Sequence, residues 1–171
     1  MKRGVLKKHM KSLKYLTRVE GIDRIRTAYI MWQELPLALI SEEYSSLVRE
    51  ASWVFYPNWD NIDLANSRGA DVSFDGVNLD GRKDEYVCSY VPVFISQRVP
   101  PAERPDMRET LRAVGLPGFD AFEFMCRTHA VCGNNDLYVS RTPDKIIDVT
   151  KYPIPYDIPD WDTSREGWLI K

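Results

Sequence analysis

The chain has 171 residues, 44% of them hydrophobic and 28% charged, with a formal net charge of −2. That length suits a single domain, residues 1–171, with enough apolar material for a core that needs no disulfides or metal. Three cysteines, an odd number, argue against a disulfide framework and for a reducing, cytoplasmic setting.

Charge is unevenly placed. Residues 1–19 carry Lys2, Arg3, Lys7, Lys8, Lys11, Lys14 and Arg18 and no acid, which leaves 16 basic against 25 acidic residues, a net −9, in the other 152. Val5, Leu6, Met10, Leu13 and Leu16 recur at helical spacing, so residues 5–19 read as an amphipathic helical arm with a lysine-rich outer side. The arm has no continuous apolar stretch and no small-residue cleavage site, so it does not read as a secretory signal. Its basic, acid-free composition also fits a mitochondrial targeting peptide.

Ile22, Ile25, Tyr29 and Trp32 fall on one stripe at helical spacing, predicting a helix over 22–34 that ends before Pro36. Ser41 as N-cap, Glu42 and Glu43 in the first turn, and the stripe Tyr44, Leu47, Val48, Ala51 predict another over 42–51. The β-branched and aromatic run Ser52 to Tyr56 reads as a strand. Residues 58–84 are rich in Asp, Asn and Gly and read as loop, with turns at Asp75-Gly76 and Asp80-Gly81. Residues 85–99 form the strongest strand candidate, with Pro92 implying an edge or a bulge. A short helix over 106–114 is expected from Asp106, Glu109 and Gly115. Residues 121–132, 136–142 and 145–149 read as further strands. The end of the chain, 152–171, is an extended Pro-rich, acidic, aromatic tail. Helices followed by strands, with one helix inserted, predict an α+β domain with a mostly antiparallel sheet.

Cys126, His129 and Cys132, with Cys88 as a fourth, supply the donor types for zinc. The spacing C-x2-H-x2-C in a strand, however, would put the cysteines on one face and the imidazole on the other. The same alternation separates a Cys–His nucleophile pair oriented by Asp136. Buried, reduced cysteines are therefore the expectation, with no cofactor and no catalytic residue assigned. Gly133 to Asp136, G-N-N-D, resembles the G-N-x-D/E block of calcineurin-like metallophosphoesterases. That family's D-x-H, G-D-x-x-D and G-H-x-H motifs do not occur, and His9 and His129 are too few for its two-metal site. A turn accounts for the four residues. Asp71 to Arg82 begins like a calcium loop but places Arg82 where the bidentate glutamate belongs, so two turns are expected there as well.

Function is expected to be non-catalytic: a subunit, adaptor or inhibitor in a larger, nucleoprotein or viral-type assembly. The residues assigned to partner binding are Lys7, Lys8, Lys11, Lys14 and Arg18 on the arm, and Tyr152, Tyr156, Trp161 and Trp168 on the tail. A nucleic acid would meet the same lysines, and no membrane contact is expected. The alternatives are a nucleic-acid-binding protein, or a zinc-supported or Cys/His hydrolytic enzyme centred on Cys126, His129 and Cys132.

Overall fold

A computed structural model describes residues 18–132 and 135–151. The expected helical arm up to residue 17 and the tail from 152 onward lie outside the described residues. Within them the fold is α+β: one antiparallel sheet ordered β4-β3-β2-β1-β5, with helices against one face. The strands are β1 (Arg24–Trp32), β2 (Leu35–Ser45), β3 (Glu50–Pro57), β4 (Tyr86–Cys88) and β5 (Leu137–Ser140). The helices are α1 (Trp59–Ser67), α2 (Val93–Ser96), α3 (Met107–Ala113) and α4 (Ala121–Arg127), followed by a 3-10 turn at Val149–Lys151. No described helix is long and apolar enough to cross a membrane.

The expected helices over 22–34 and 42–51 are instead a three-stranded meander. Arg24 pairs with Tyr44 and Trp32 with Leu35, and Ala38 to Ser45 of β2 pair with Pro57 to Glu50 of β3. Strand alternation sends Arg26, Ala28, Ile30 and Trp32 to the front face and Ile25, Thr27, Tyr29 and Met31 to the back. The supposed helical stripe is thus split: Trp32 is buried in front, whereas Ile25 is 61% exposed. Ser41 caps no helix but sits buried in mid-strand. Leu47, 82% exposed, rides the hairpin tip between β2 and β3. A β-bulge between Ile30 and Met31 leaves Leu37 extra on β2, and Pro36, which has no N–H to give, lies at this irregularity.

Front-face side chains Ala28, Ile30, Ile40, Trp53 and Phe55 form the main core with Ile62 and Ala65 of α1, Phe94 and Ile95 of α2, and Phe122, Phe124 and Met125 of α4. A second cluster, Met31, Tyr138 and Ile147, lies on the back face at the β1–β5 end. Residues 121–132 are not a strand. Asp120 accepts a hydrogen bond from the Glu123 amide at 3.1 Å and starts α4 as its N-cap. Of residues 85–99 only Tyr86–Cys88 is strand, because Pro92 opens α2. Residues 145–149 contribute no strand, although Ile147 is buried against Met31 and Tyr138. The helix expected over 106–114 is present as α3. Its Asp106 carboxylate binds Arg104 rather than capping, while Gly115 at φ +71 closes the other end.

Candidate functional site

Among the described residues β4 is an outer strand, paired through Tyr86, Val87 and Cys88 to Phe55, Val54 and Trp53 of β3 and to no strand on its other side. Its other side opens into a cleft of about 680 Å³ whose opposite wall is the turn-rich segment around Gly76, Asn78 and Gly81. Asp75-Gly76 makes the expected turn there, with Gly76 at φ +83 between the bridged residues Phe74 and Val77. A Cβ on Gly76 would meet the Val93 side chain and amide at 3.2 Å, so this backbone lies directly against α2. The Phe94 amide donates to the Asp75 carbonyl at 2.8 Å and fixes the two segments together.

Below the cleft, Phe55, Phe74 and Phe94 contact one another with ring centroids 5.8–6.1 Å apart. Its wall is pinned as well. The Lys83 amide donates to the Tyr86 hydroxyl, Trp59 donates its indole N–H to the Lys83 carbonyl, and Arg82 lies over the Trp59 ring while gripping Asp63 through two bonds. Arg82 thus has a structural partner, which accounts for a cation at the position where a calcium loop needs an acid.

Tyr90, which lines this cleft, is 50% exposed, and Val91 and Val93, next along the chain, are 47% and 41% exposed. Val91 lines a second hollow of about 260 Å³ with Ile95, Val99, Pro101 and Phe119, the last 40% exposed. Exposed apolar side chains thus lie at both hollows, Tyr90 at the first and Val91 and Phe119 at the second.

The residues singled out from the sequence go elsewhere. Cys126 is on α4 inside the main core, where burial pushes its thiol up to about 12. Burial also raises the Cys88 thiol. His129 follows α4 in a left-handed conformation, φ +55, and so does Ala130 at +49. Its Nδ1 lies 2.8 Å from the Val139 carbonyl, a bond that the neutral imidazole donates, and burial pushes its pKa down to about 4. The orienting role imagined for Asp136 is therefore filled by a backbone carbonyl.

Cys132 lies beside Arg98, whose guanidinium is buried over Phe94 and bonds the Ala130 carbonyl and Asn135 Oδ1. Among the described residues no three His, Cys, Asp or Glu side chains gather closely enough to hold a metal ion. A helix and a left-handed turn, not the expected strand alternation, set the positions of Cys126 and His129. Cys132 and Asn135 form an antiparallel bridge around the G-N-N-D segment.

Arg18 is the one expected partner-binding residue of the arm among those described. Its Nη2 donates to the Tyr56 hydroxyl and to Glu85 Oε2, both at 2.7 Å, and its Nε lies 2.9 Å from Glu43 Oε2. Its charge is matched within the chain. Lys7, Lys8, Lys11 and Lys14 on the arm, and Tyr152, Tyr156, Trp161 and Trp168 on the tail, lie outside the described residues. Sequence reasoning passed over Tyr90, Val91, Val93 and Phe119. The signal available was V-P-V at 91–93, where a proline denies the flanking valines a place in a buried ladder. No protein-family model, curated protein or solved structure matches this chain.

Proposed function

We propose that this chain is a non-catalytic protein-binding module that receives an extended, apolar segment of a partner protein in the cleft beside β4. One observation carries the reading: among the described residues the side of β4 away from β3 has no strand partner, and β4 lines a braced cleft together with the half-exposed Tyr90. A free strand edge offers main-chain hydrogen bonds to an extended peptide, and the flanking hollows take its side chains. Lys83 and Glu85 line the same cleft and would fix the direction of a charged flank. The lysines of residues 7–14 would add a long-range pull on an acidic partner. The zinc and Cys/His readings draw no such support, since Cys126 and His129 are engaged in the core and in a turn.

Peptides selected from a random ten-residue display library on the full chain provide the test. Tyr90→Ser combined with Val91→Asp should weaken the selected peptides by roughly thirtyfold or more, as removal of interface anchors does. The melting temperature should stay within about 2 °C, because both side chains are half exposed. Selected peptides that bind the double variant as well as the parent would contradict the reading.

A further inference from the structure

Arg98, just past the end of α2, is a cation only 1% exposed. Its guanidinium lies over the Phe94 ring and donates to the Ala130 carbonyl and to Asn135 Oδ1. Its Nε–H is buried with no hydrogen-bond partner. An unsatisfied donor on a buried charge is costly, and an acceptor placed beside it relieves that cost. Burial works against the Arg98 charge, while Cys132 and Asp75 favour it, and of these two only Cys132 interacts through hydrogen bonding as well as charge. A thiol sulfur is a weak acceptor, however, and it leaves the Nε–H unmatched. From this arrangement we propose that Cys132 is an oxidation site: a peroxide converts its thiol to a sulfenic acid, and Arg98 holds the added oxygen.

Access separates Cys132 from the other two cysteines. All three are free thiols, but Cys88 and Cys126 are buried in the main core, where burial raises both, whereas Cys132 is partly exposed. Position matters as much. Cys132 is bridged to Asn135, and the two acceptors of Arg98, the Ala130 carbonyl and Asn135 Oδ1, flank Cys132 in sequence. One turn therefore presents both the sulfur and the groups that hold the guanidinium in place. The chemistry suits that setting. Thiolates attack peroxides, and a neighbouring cation favours negative charge on the sulfur and on the oxygen it acquires. In the step an S–O bond forms and the peroxide O–O bond breaks. Sulfur gives up two electrons, and the second peroxide oxygen leaves as water with the thiol proton. The oxygen now on sulfur is the stronger acceptor that the Arg98 Nε–H lacks. His129 takes no part, since its ring is bonded to the Val139 carbonyl. This chemistry is independent of what the β4 cleft binds.

The test is a short pulse of hydrogen peroxide on the full chain, stopped with catalase and followed by unfolding in urea with dimedone, which traps sulfenic acids. Trypsin cuts at Arg127 and puts Cys126 and Cys132 in different peptides for mass spectrometry. Label at Cys132 should exceed that at Cys88 or Cys126 by about tenfold or more, as access and a neighbouring cation dictate. Cys132 should also oxidise about threefold faster in the folded chain than in chain unfolded in urea before the pulse, because unfolding exposes the sulfur but takes Arg98 away. Arg98→Met, which replaces the buried charge by an apolar side chain, should bring Cys132 down to the unfolded rate or below, with Cys88 and Cys126 still unlabelled. If those two label in the variant it has lost its fold, and the folded-against-unfolded comparison in the parent decides alone. Oxidation of Cys132 no faster in the folded parent than in the unfolded chain overturns the proposal. So does label spread evenly over the three cysteines, or a folded Arg98→Met that oxidises at the parent rate.

Discussion

His129 is tied twice to Val139: its carbonyl accepts the Val139 amide at 2.7 Å and its ring bonds the Val139 carbonyl. This closes the turn that carries the chain from α4 into β5. Burial disfavours the charged imidazole and holds its pKa near 4 against 6.5 when unfolded, although the bond to the Val139 carbonyl works in the other direction. The unfolded chain therefore takes up the proton first. Stability from this residue is fully present above pH 6.5 and is lost as pH falls toward 4, by an amount on the order of 3 kcal/mol. Chemical denaturation of the parent and of His129→Gln, between pH 7 and pH 4, checks this. The parent should lose that stability over the window, whereas the glutamine variant, which keeps a donor but does not titrate, should not. Equal pH slopes in the two proteins would remove the residue from the account.

At the scale of elements, the meander is locked by charges as well as by apolar side chains. Glu42 is buried on β2, and Arg26 of β1 reaches both its carboxylate, at 2.6 Å, and Asp120 at the start of α4, at 2.7 Å. Burial works to raise the Asp120 pKa, but bonds from Arg26 and the Glu123 amide hold it below the usual carboxylate range. Removing one partner strands the others. Arg26→Met alone should cost about 3 kcal/mol, while Arg26→Met/Glu42→Met should recover part of that loss, because the buried Glu42 charge goes as well and only the part-exposed Asp120 is left without Arg26. Urea denaturation of the single and double variants decides it, and strictly additive losses would show that the charges are not coupled.

This network also explains what was legible in the sequence. The antiparallel α+β class, strand β3, helix α3 and the turn at Gly76 follow from local residue types. Strand β1 did not, because Ile25, Tyr29 and Trp32 satisfy a helical stripe by coincidence and the true pairing depends on partners up to 20 residues away in β2 and 105 to 111 away in β5. Helix α4 was legible in principle. Asp120 and Glu123 stand in N-cap and N3 positions, but the phenylalanines between and after them drew a strand reading. Nothing local announces that Arg98 would be buried over Phe94, or that Tyr90 and Val91 would be left outside.

Across the described molecule, Glu85 both lines the β4 cleft and holds Arg18, so the two lie at one side of the sheet. Arg18 anchors the entering chain beside β3 and β4, and the exit beyond Val149 lies at the β1–β5 end. The front face is filled by the main core, and the exposed apolar side chains Tyr90, Val91 and Val93 follow β4 and open α2. Amide hydrogen exchange of the full chain, with and without a saturating library-selected peptide, tests peptide docking at β4 most directly. Amides of residues 86–93 should exchange at least about tenfold more slowly when the peptide is bound, since an added strand satisfies the open side of β4. Protection confined to β5 or to the 141–151 segment, with residues 86–93 unchanged, would place the binding surface at the other end of the sheet and contradict the account.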